Sequence, residues 1–159
     1  MGMKSIDLVQ LDVPNLIQQL NKAFADEWLA YYQYWIAAKL VVGQLRNAAA
    51  AELNEHANDE LKHAAMLADR IIQLGGVPLT NPKDFGKFAN CAYAEPLDSK
   101  IKTIIQQGIE GERCAIEVYN KLLNLTKDKD FITYNMLLSI LEDEVEHELD
   151  FMALLADLN

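Results

Sequence analysis

Lysine and arginine are scarce in this chain. There are 14 of them against 24 aspartates and glutamates, which with three neutral histidines leaves a formal net charge of -10 over 159 residues. Proteins that track phosphate backbones need clustered Lys and Arg, so DNA binding is not expected, and the segment before Asp12 offers only Lys4. The acidic balance suits a protein that handles cations, although net negative charge also simply keeps molecules apart. Long apolar runs are missing too. The longest uncharged stretch, 71–82, contains Gly75, Gly76 and Pro78, whereas a membrane span needs about 20 mostly apolar residues. The first residues, Met1-Gly2-Met3-Lys4-Ser5-Ile6-Asp7, hold no apolar segment of the secretory kind. A cytoplasmic location without a membrane partner is therefore expected. Cysteine is nearly absent: Cys91 and Cys114 are too few for a disulfide scaffold and lack zinc-ribbon spacing.

What is present is helical periodicity almost throughout, in a chain that is 51% hydrophobic and of a length that fits one domain, 1–159. The first long segment runs from about Pro14 to Val42, behind Asp12 as a cap, with Gly43 at the position of a left-handed cap residue. The second runs from about Gln44 to Leu74 and is stopped by Gly75-Gly76 and Pro78. Residues 75–97 form a long connection with a short helix near Asp84 to Phe88. A connection of that length needs a task, and crossing the bundle so that the next helix runs parallel to the second is the one expected. The third segment spans about Asp98 to Leu125, capped by Asp98 or Ser99. The fourth runs from about Asp128 to Leu158 after a short link, which implies an antiparallel hairpin. The expected fold class is all-α: two helical hairpins joined by a long crossover between helices two and three.

Following the apolar stripe of each helix exposes a carboxylate where none should be. Helix one reads Leu16, Leu20, Ala23, Glu27, Tyr31, Tyr34, and helix two Leu53, Ala57, Glu60, Ala64, Leu67. Helix three reads Ile101, Ile105, Gly108, Glu112, Ile116, Tyr119, and helix four Leu137, Ile140, Glu144, His147, Phe151. Helices two and four each place a histidine three residues on, His63 and His147, one turn along the same face. A buried carboxylate without a partner is very costly, and four together must take up protons or share cations. No Lys or Arg lies on these stripes. Two divalent metal ions would balance the four charges, and mixed oxygen and imidazole donors suit iron or manganese better than zinc or calcium. This is the di-metal carboxylate pattern.

An internal repeat supports it: Glu27, Tyr34, Asp59-Glu60-x-x-His63 against Glu112, Tyr119, Asp143-Glu144-x-x-His147. The bland alternative, a solvated acidic face on each helix, conflicts with the apolar neighbours three and four residues away. Glu110 is a nearby alternative to Glu112, which alone has a tyrosine seven residues on. Tyr34 and Tyr119 read either as hydrogen-bond partners of the ligands or as core packing. His56, one turn before Glu60, reads as a surface or supporting residue, with a transient ligand on an approach path as the other choice.

The set Glu27, Asp59-Glu60-Leu61-Lys62-His63, Glu112-Arg113-Cys114-Ala115-Ile116 and Asp143-Glu144-Val145-Glu146-His147 resembles the ferritin-like superfamily over essentially the whole chain. Bacterioferritins and the Dps-like proteins called thioferritins are the closest in kind. The resemblance implies a ferritin-like four-helix bundle holding two iron ions per subunit. Glu60 and Glu144 would bridge them, with Glu27 and His63, and Glu112 and His147, as terminal ligands. It implies ferroxidase activity, with peroxide or dioxygen as oxidant, iron(III) mineralised in a homo-oligomeric cage, and protection from oxidative stress.

Bacterioferritins carry a haem-ligating Met where this chain has Leu61, so haem is not expected. The 12 residues after His147 do not build the fifth helix of 24-mers, which favours a dodecamer. The resemblance also suggests that Cys91 and Cys114 meet near the metals as a redox pair; two inert buried thiols are the alternative. Two further readings stand beside ferroxidase: another di-metal carboxylate enzyme of manganese catalase or oxygenase type, and a metal-free helical interaction module.

Overall fold

The computed structural model describes residues 4–158, so Met1–Met3, read above for a leader, and the last residue of the expected 1–159 domain lie outside the described residues. Four long helices build it: α1 (Val13–Leu40), α2 (Arg46–Gln73), α4 (Ile101–Thr126) and α5 (Phe131–Asp157), with the short α3 (Phe85–Phe88) in the crossover. Among the described residues there is no strand, only an isolated bridge between Val42 and Lys100, and no helix is long and apolar enough to cross a membrane.

The helix ends follow their local chemistry, with two departures from expectation. Asp12 accepts from the Asn15 amide at the start of α1, and Pro14 occupies its first turn. At the other end Gly43 is not a left-handed helix cap. The helix stops at Leu40, the Val41 amide donates to the Ala37 carbonyl, and the chain continues extended. Val42 then pairs with the start of α4, its amide donating to the Ser99 carbonyl (2.9 Å) and its carbonyl accepting from the Ile101 amide (3.1 Å). Tertiary pairing has replaced a local cap. At α4 neither Asp98 nor Ser99 is the cap residue; Lys100 holds that place. Asp98 instead accepts from the Lys100 amide and the Thr103 hydroxyl, closing the turn that precedes the helix. The end of α2 goes as its glycines require: Gly75 takes φ +81°, and the Gly76 amide returns to the Ile71 carbonyl (2.9 Å).

The crossover climbs the outside of α1 in the direction of that helix. Three polar side chains of α1, in ascending order, hold three ascending parts of it. Asn21 bonds the Val77 carbonyl and Leu79 amide; Asp26 accepts from the Asn90 and Cys91 amides and the Asn90 side chain; Gln33 accepts from the Ala94 amide. Phe85 of α3 packs on Phe24 and Trp28. The chain therefore regains the end of the bundle where α2 began, and α4 runs parallel to α2. Two apolar clusters fill the bundle. One gathers Leu16, Leu20, Leu67, Ile71, Leu137 and Ile140; the other gathers Leu53, Ala57, Ile101, Ile105 and Phe151. Each fully buried aliphatic or aromatic side chain contributes about 1.5–3 kcal/mol. Between the clusters lies a layer of charge.

Candidate metal centre

Glu27, Glu60, Glu112 and Glu144 are each at most 2% exposed, and His63 and His147 are buried beside them. Ligand-capable atoms of Glu27, Glu60, His63 and Glu144 lie within 4.8 Å of one another, and so do those of Glu60, Glu112, Glu144 and His147. Glu60 and Glu144 belong to both groups, and each divides its oxygens between them. His63 Nδ1 faces Oε2 of Glu60 (3.1 Å) and Oε1 of Glu144 (3.2 Å), with Glu27 at 3.5 Å. His147 Nδ1 faces the other oxygens, Oε1 of Glu60 (3.5 Å) and Oε2 of Glu144 (3.6 Å), with Glu112 at 3.9 Å. Glu110, the alternative to Glu112, is exposed. The one-turn spacing of Glu and His brings all six donors to one centre because each helix faces inward at its middle.

A ring of supporting bonds crosses between the hairpins. The Tyr34 hydroxyl on α1 donates to Glu112 on α4 (2.6 Å), and the Tyr119 hydroxyl on α4 donates to Glu27 on α1. Both tyrosines are thus bonded to the glutamates, not merely packed. Each histidine turns its Nε2 to an aspartate of the opposite hairpin, His63 to Asp143 (2.9 Å) and His147 to Asp59 (3.5 Å). A carboxylate there keeps the ring proton on Nε2 and aims Nδ1 inward. Sequence reasoning assigned the two aspartates no role. Their signal was the Asp-Glu-x-x-His repeat itself, in which the aspartate recurs with the ligands.

Electrostatics show what the protein alone does with this charge. Burial, then the Glu60 and Glu144 charges, raises Glu27 well above the usual carboxylate range; burial, then Glu144 and Glu60, does the same to Glu112. Burial opposes charge on His63, but the Glu144, Glu27 and Glu60 carboxylates that face its ring outweigh it and raise its pKa. The same contest, with Glu144 and Glu60, brings His147 up to about 10. Glu144 would be raised by burial, yet the facing His147 and His63 rings hold it down at about 2. In the metal-free protein these shifts favour charge on the two imidazoles and a proton on Glu27 and Glu112. Even so, Glu60 Oε1, both Glu144 oxygens and His147 Nδ1 find no aligned hydrogen-bond partner. These unmatched, convergent oxygens, with imidazole nitrogens that can give up their protons, fit a pair of divalent cations.

On the α1–α4 side a cavity of about 40 Å³ touches this layer, walled by Glu27, Tyr34, Cys91, Glu112 and Glu144 among others. That is room for a few water-sized molecules. Cys91 and Cys114 are joined by a disulfide, Cα to Cα 5.9 Å. One end of it is two residues from Glu112, and the other is held to Asp26, the neighbour of Glu27. Asp26 itself is raised to about 6, chiefly by burial.

Two readings need correction. Of the readings of His56 as a surface or a supporting residue, the surface one fails. His56 is 1% exposed and stacked on His147, ring centroids 4.0 Å apart. Its place three residues after Leu53 and four before Glu60 already put it on the inward stripe. Burial, then the His147 charge, lowers it to about 3. Arg70, three residues past Leu67, is also buried, so helix two does carry an inward cation, though at its far end. Arg70 pairs with Asp130 (2.9 Å) and donates to Thr133 (2.7 Å); it gives the glutamates no charge.

A bundle of two crossed-over helical hairpins with this central layer defines a ferritin-like protein. The chain belongs to that family, matching the ferritin-like domain over residues 17–159. Within it, the chain is of Dps-like and bacterioferritin-like kind. It is 36% identical over 152 residues to a "DNA protection during starvation protein" of Pyrococcus furiosus, covering 94% of this chain and 82% of that one. It is 31% identical over 137 residues to a bacterioferritin of Desulfovibrio desulfuricans, covering 83% and 69%. Among solved structures, the dodecameric thioferritin of Bacteroides fragilis superposes with a TM-score of 0.96 at 42% identity, covering 98% of this chain and 94% of that one.

Proposed function

We propose that this protein is a ferroxidase of an iron-storing and iron-detoxifying cage, with iron(II) as its substrate. The observation that carries the reading is the split of Glu60 and Glu144, each offering one oxygen to the His63 group and the other to the His147 group. Glu27 with His63 and Glu112 with His147 would complete two neighbouring sites, two ions per subunit. The ions displace the two imidazolium protons and the two carboxyl protons, and four glutamate charges neutralise two dications. Tyr34 and Tyr119 fix the terminal carboxylates, and Asp59 and Asp143 fix the histidine rings.

Each iron(II) gives one electron. Peroxide takes both, its O–O bond breaking with uptake of two protons to give two waters and two iron(III); dioxygen is the other oxidant the site would accept. The cavity beside Glu27 and Glu112 has room for a few water-sized molecules, which suits peroxide or dioxygen and favours this reading over an oxygenase. The 12-subunit neighbour and the Dps-like relative support a dodecameric cage, and the relatives support the cytoplasm as its location.

The disulfide would open to a dithiol with two electrons and two protons from a cellular thiol reductant, and close again by returning both to peroxide. Thiol counts before and after peroxide, with and without reductant, test that role; two free thiols throughout would end it. For the centre itself, anaerobic iron(II) titration followed by a peroxide pulse should show two ions oxidised per subunit. Glu60→Ala or Glu144→Ala should abolish rapid oxidation with the helical fold retained, and unchanged kinetics in both would refute the site.

A further inference from the structure

The centre leaves one buried histidine without a task. His56 is 1% exposed, and neither ring nitrogen has a hydrogen-bond partner, although leaving a buried polar group unmatched is costly. Its ring is gripped by His147 and by the edge of Phe151, 4.4 Å between centroids. Nδ1 looks toward Glu112 Oε1 at 4.0 Å. Nε2 looks the other way, toward Glu52 Oε1 (3.3 Å) and Asp150 Oδ2 (3.7 Å). Neither contact is a hydrogen bond. Glu52 and Asp150 remain partly exposed, 32% and 40%, and ligand-capable atoms of all three residues lie within 4.8 Å of one another.

We propose that Glu52, His56 and Asp150 form a third divalent-cation site, where iron(II) is held on the α2–α5 face one helical turn from the di-metal centre. The inference rests on the ferroxidase reading for its cation but not for its geometry. Two carboxylates neutralise a dication, and an imidazole with two oxygens is a donor set for iron(II), manganese(II), cobalt(II) or zinc(II). Partial exposure leaves the remaining positions to water, so the ion can exchange. The site is also the outer rung of a ladder. On α2 the donors Glu52, His56, Glu60 and His63 follow at steps of four, four and three, and on α5 Glu144, His147 and Asp150 follow at steps of three. All of these are positions on one helix face. The ladder approaches the centre from the α2–α5 side, whereas the cavity and disulfide lie on the α1–α4 side. Cation and oxidant thus have separate approaches.

Cobalt(II), whose visible absorption reports its ligands, is the probe. Titrated anaerobically into the assembled protein, it should fill three sites per subunit. Glu52→Gln with Asp150→Asn leaves all six central donors in place and should fill two. Glu60→Ala with Glu144→Ala should keep only the outer one. A wild type that stops at two ions overturns the proposal, and so does a Glu52/Asp150 double variant that retains a third ion at unchanged affinity. A wild type that binds one ion, lost in the Glu52/Asp150 variant and kept in the Glu60/Glu144 variant, supports the outer site and sinks the di-metal reading instead. Should the double variant fail to assemble, Asp150→Asn alone should weaken the third ion by about tenfold, the order seen for lost partners of metal sites; unchanged third-ion affinity in it also overturns the proposal.

Discussion

The two hairpins match where they meet and differ one turn away. Each brings a glutamate, a tyrosine and an Asp-Glu-x-x-His run, and each lends its tyrosine and its aspartate to the ligands of the other. Beyond that layer the correspondence fails. Four residues before the bridging glutamates, α2 has His56 and α5 has Ile140; eight before, Glu52 faces the counterpart Met136. Three past the histidines, Asp150 on α5 answers to Met66 on α2. Phe151 answers to Leu67, and Gly108 to Ala23, because a Cβ on Gly108 would lie 2.7 Å from the Phe151 ring. One end of the bundle therefore carries Glu52, His56 and Asp150 beside its apolar cluster, with the Phe151 ring against His56. The other is aliphatic and pinned by the buried Arg70–Asp130–Thr133 network. Balancing charge in a core calls for equivalent halves; the outer cation site proposed above would call for ends that differ.

The sharpest way to break the matched part is to remove a terminal glutamate from one half. Glu27→Ala leaves the Glu60, Glu112, Glu144 and His147 group intact, so the number of central ions should fall from two to one, and rapid oxidation by peroxide should vanish because one ion gives one electron. Glu112→Ala should do the same from the other side. Anaerobic titration followed by stopped-flow oxidation checks both, and a variant that still binds two ions would show that the halves do not each hold one.

How much of this could be read before the fold was known depends on whether the relevant neighbour lies along one helix or across two. The stripes of α1, α2, α4 and α5 placed Glu27, Glu60, Glu112 and Glu144 inward, because steps of three and four residues are local geometry. The crossover was legible from its length and its Gly and Pro boundary. The pairing of Asp59 with His147 was not, because it joins α2 to α5 and no spacing encodes it. The start of α4 was misjudged because Val42, 58 positions earlier, supplies the pairing that a local cap would have made. For His56 the reason is different: the rule that found Glu60 places it inward as well and so removes the surface reading, while spacing alone does not choose between a supporting residue and a ligand.

The unmatched ends differ in what they do for stability. Arg70 and Asp130 are each 4% exposed or less, and breaking a buried pair by removing one partner costs about 3–5 kcal/mol. Arg70→Ala should lose that much in denaturant unfolding of the metal-free protein while the cobalt(II) stoichiometry stays unchanged. An effect on metal binding would mean that the two ends are mechanically coupled.

The central layer makes the metal-free protein sensitive to alkali. His63 and His147 have folded pKa values raised above their unfolded ones, so their contribution is full below about pH 6.5 and is lost for His147 as the pH passes about 10. Glu27 and Glu112, also raised, hold protons that the unfolded chain has released. All four shifts have the same sign: the folded state binds more protons, so stability falls as pH rises, by on the order of 1 kcal/mol per pH unit for each proton in transit. Melting in a chelator between pH 6 and 10 should show the decline. A divalent ion should remove it, because metal displaces the same protons, and metal affinity should rise with pH. A flat melting profile in the chelator would mean that the layer is already neutral by another route.

The smallest expected effect separates bonding from packing at the tyrosines. Tyr34 and Tyr119 are buried and donate to Glu112 and Glu27. Replacing either by Phe keeps the ring and removes only the hydroxyl. If the rings merely filled space, the change would be neutral or slightly stabilising. Because the partner is a buried carboxyl that stays behind, each variant should instead lose about 1 kcal/mol in the metal-free protein and bind the ion of its own glutamate several-fold less tightly. Tyr34→Phe should weaken the ion on the Glu112 and His147 side, and Tyr119→Phe the ion on the Glu27 and His63 side. The test is therefore a crossed one: each tyrosine belongs to one hairpin and its loss is read at the other, and an effect on the same-hairpin ion would contradict the exchange of partners between the halves.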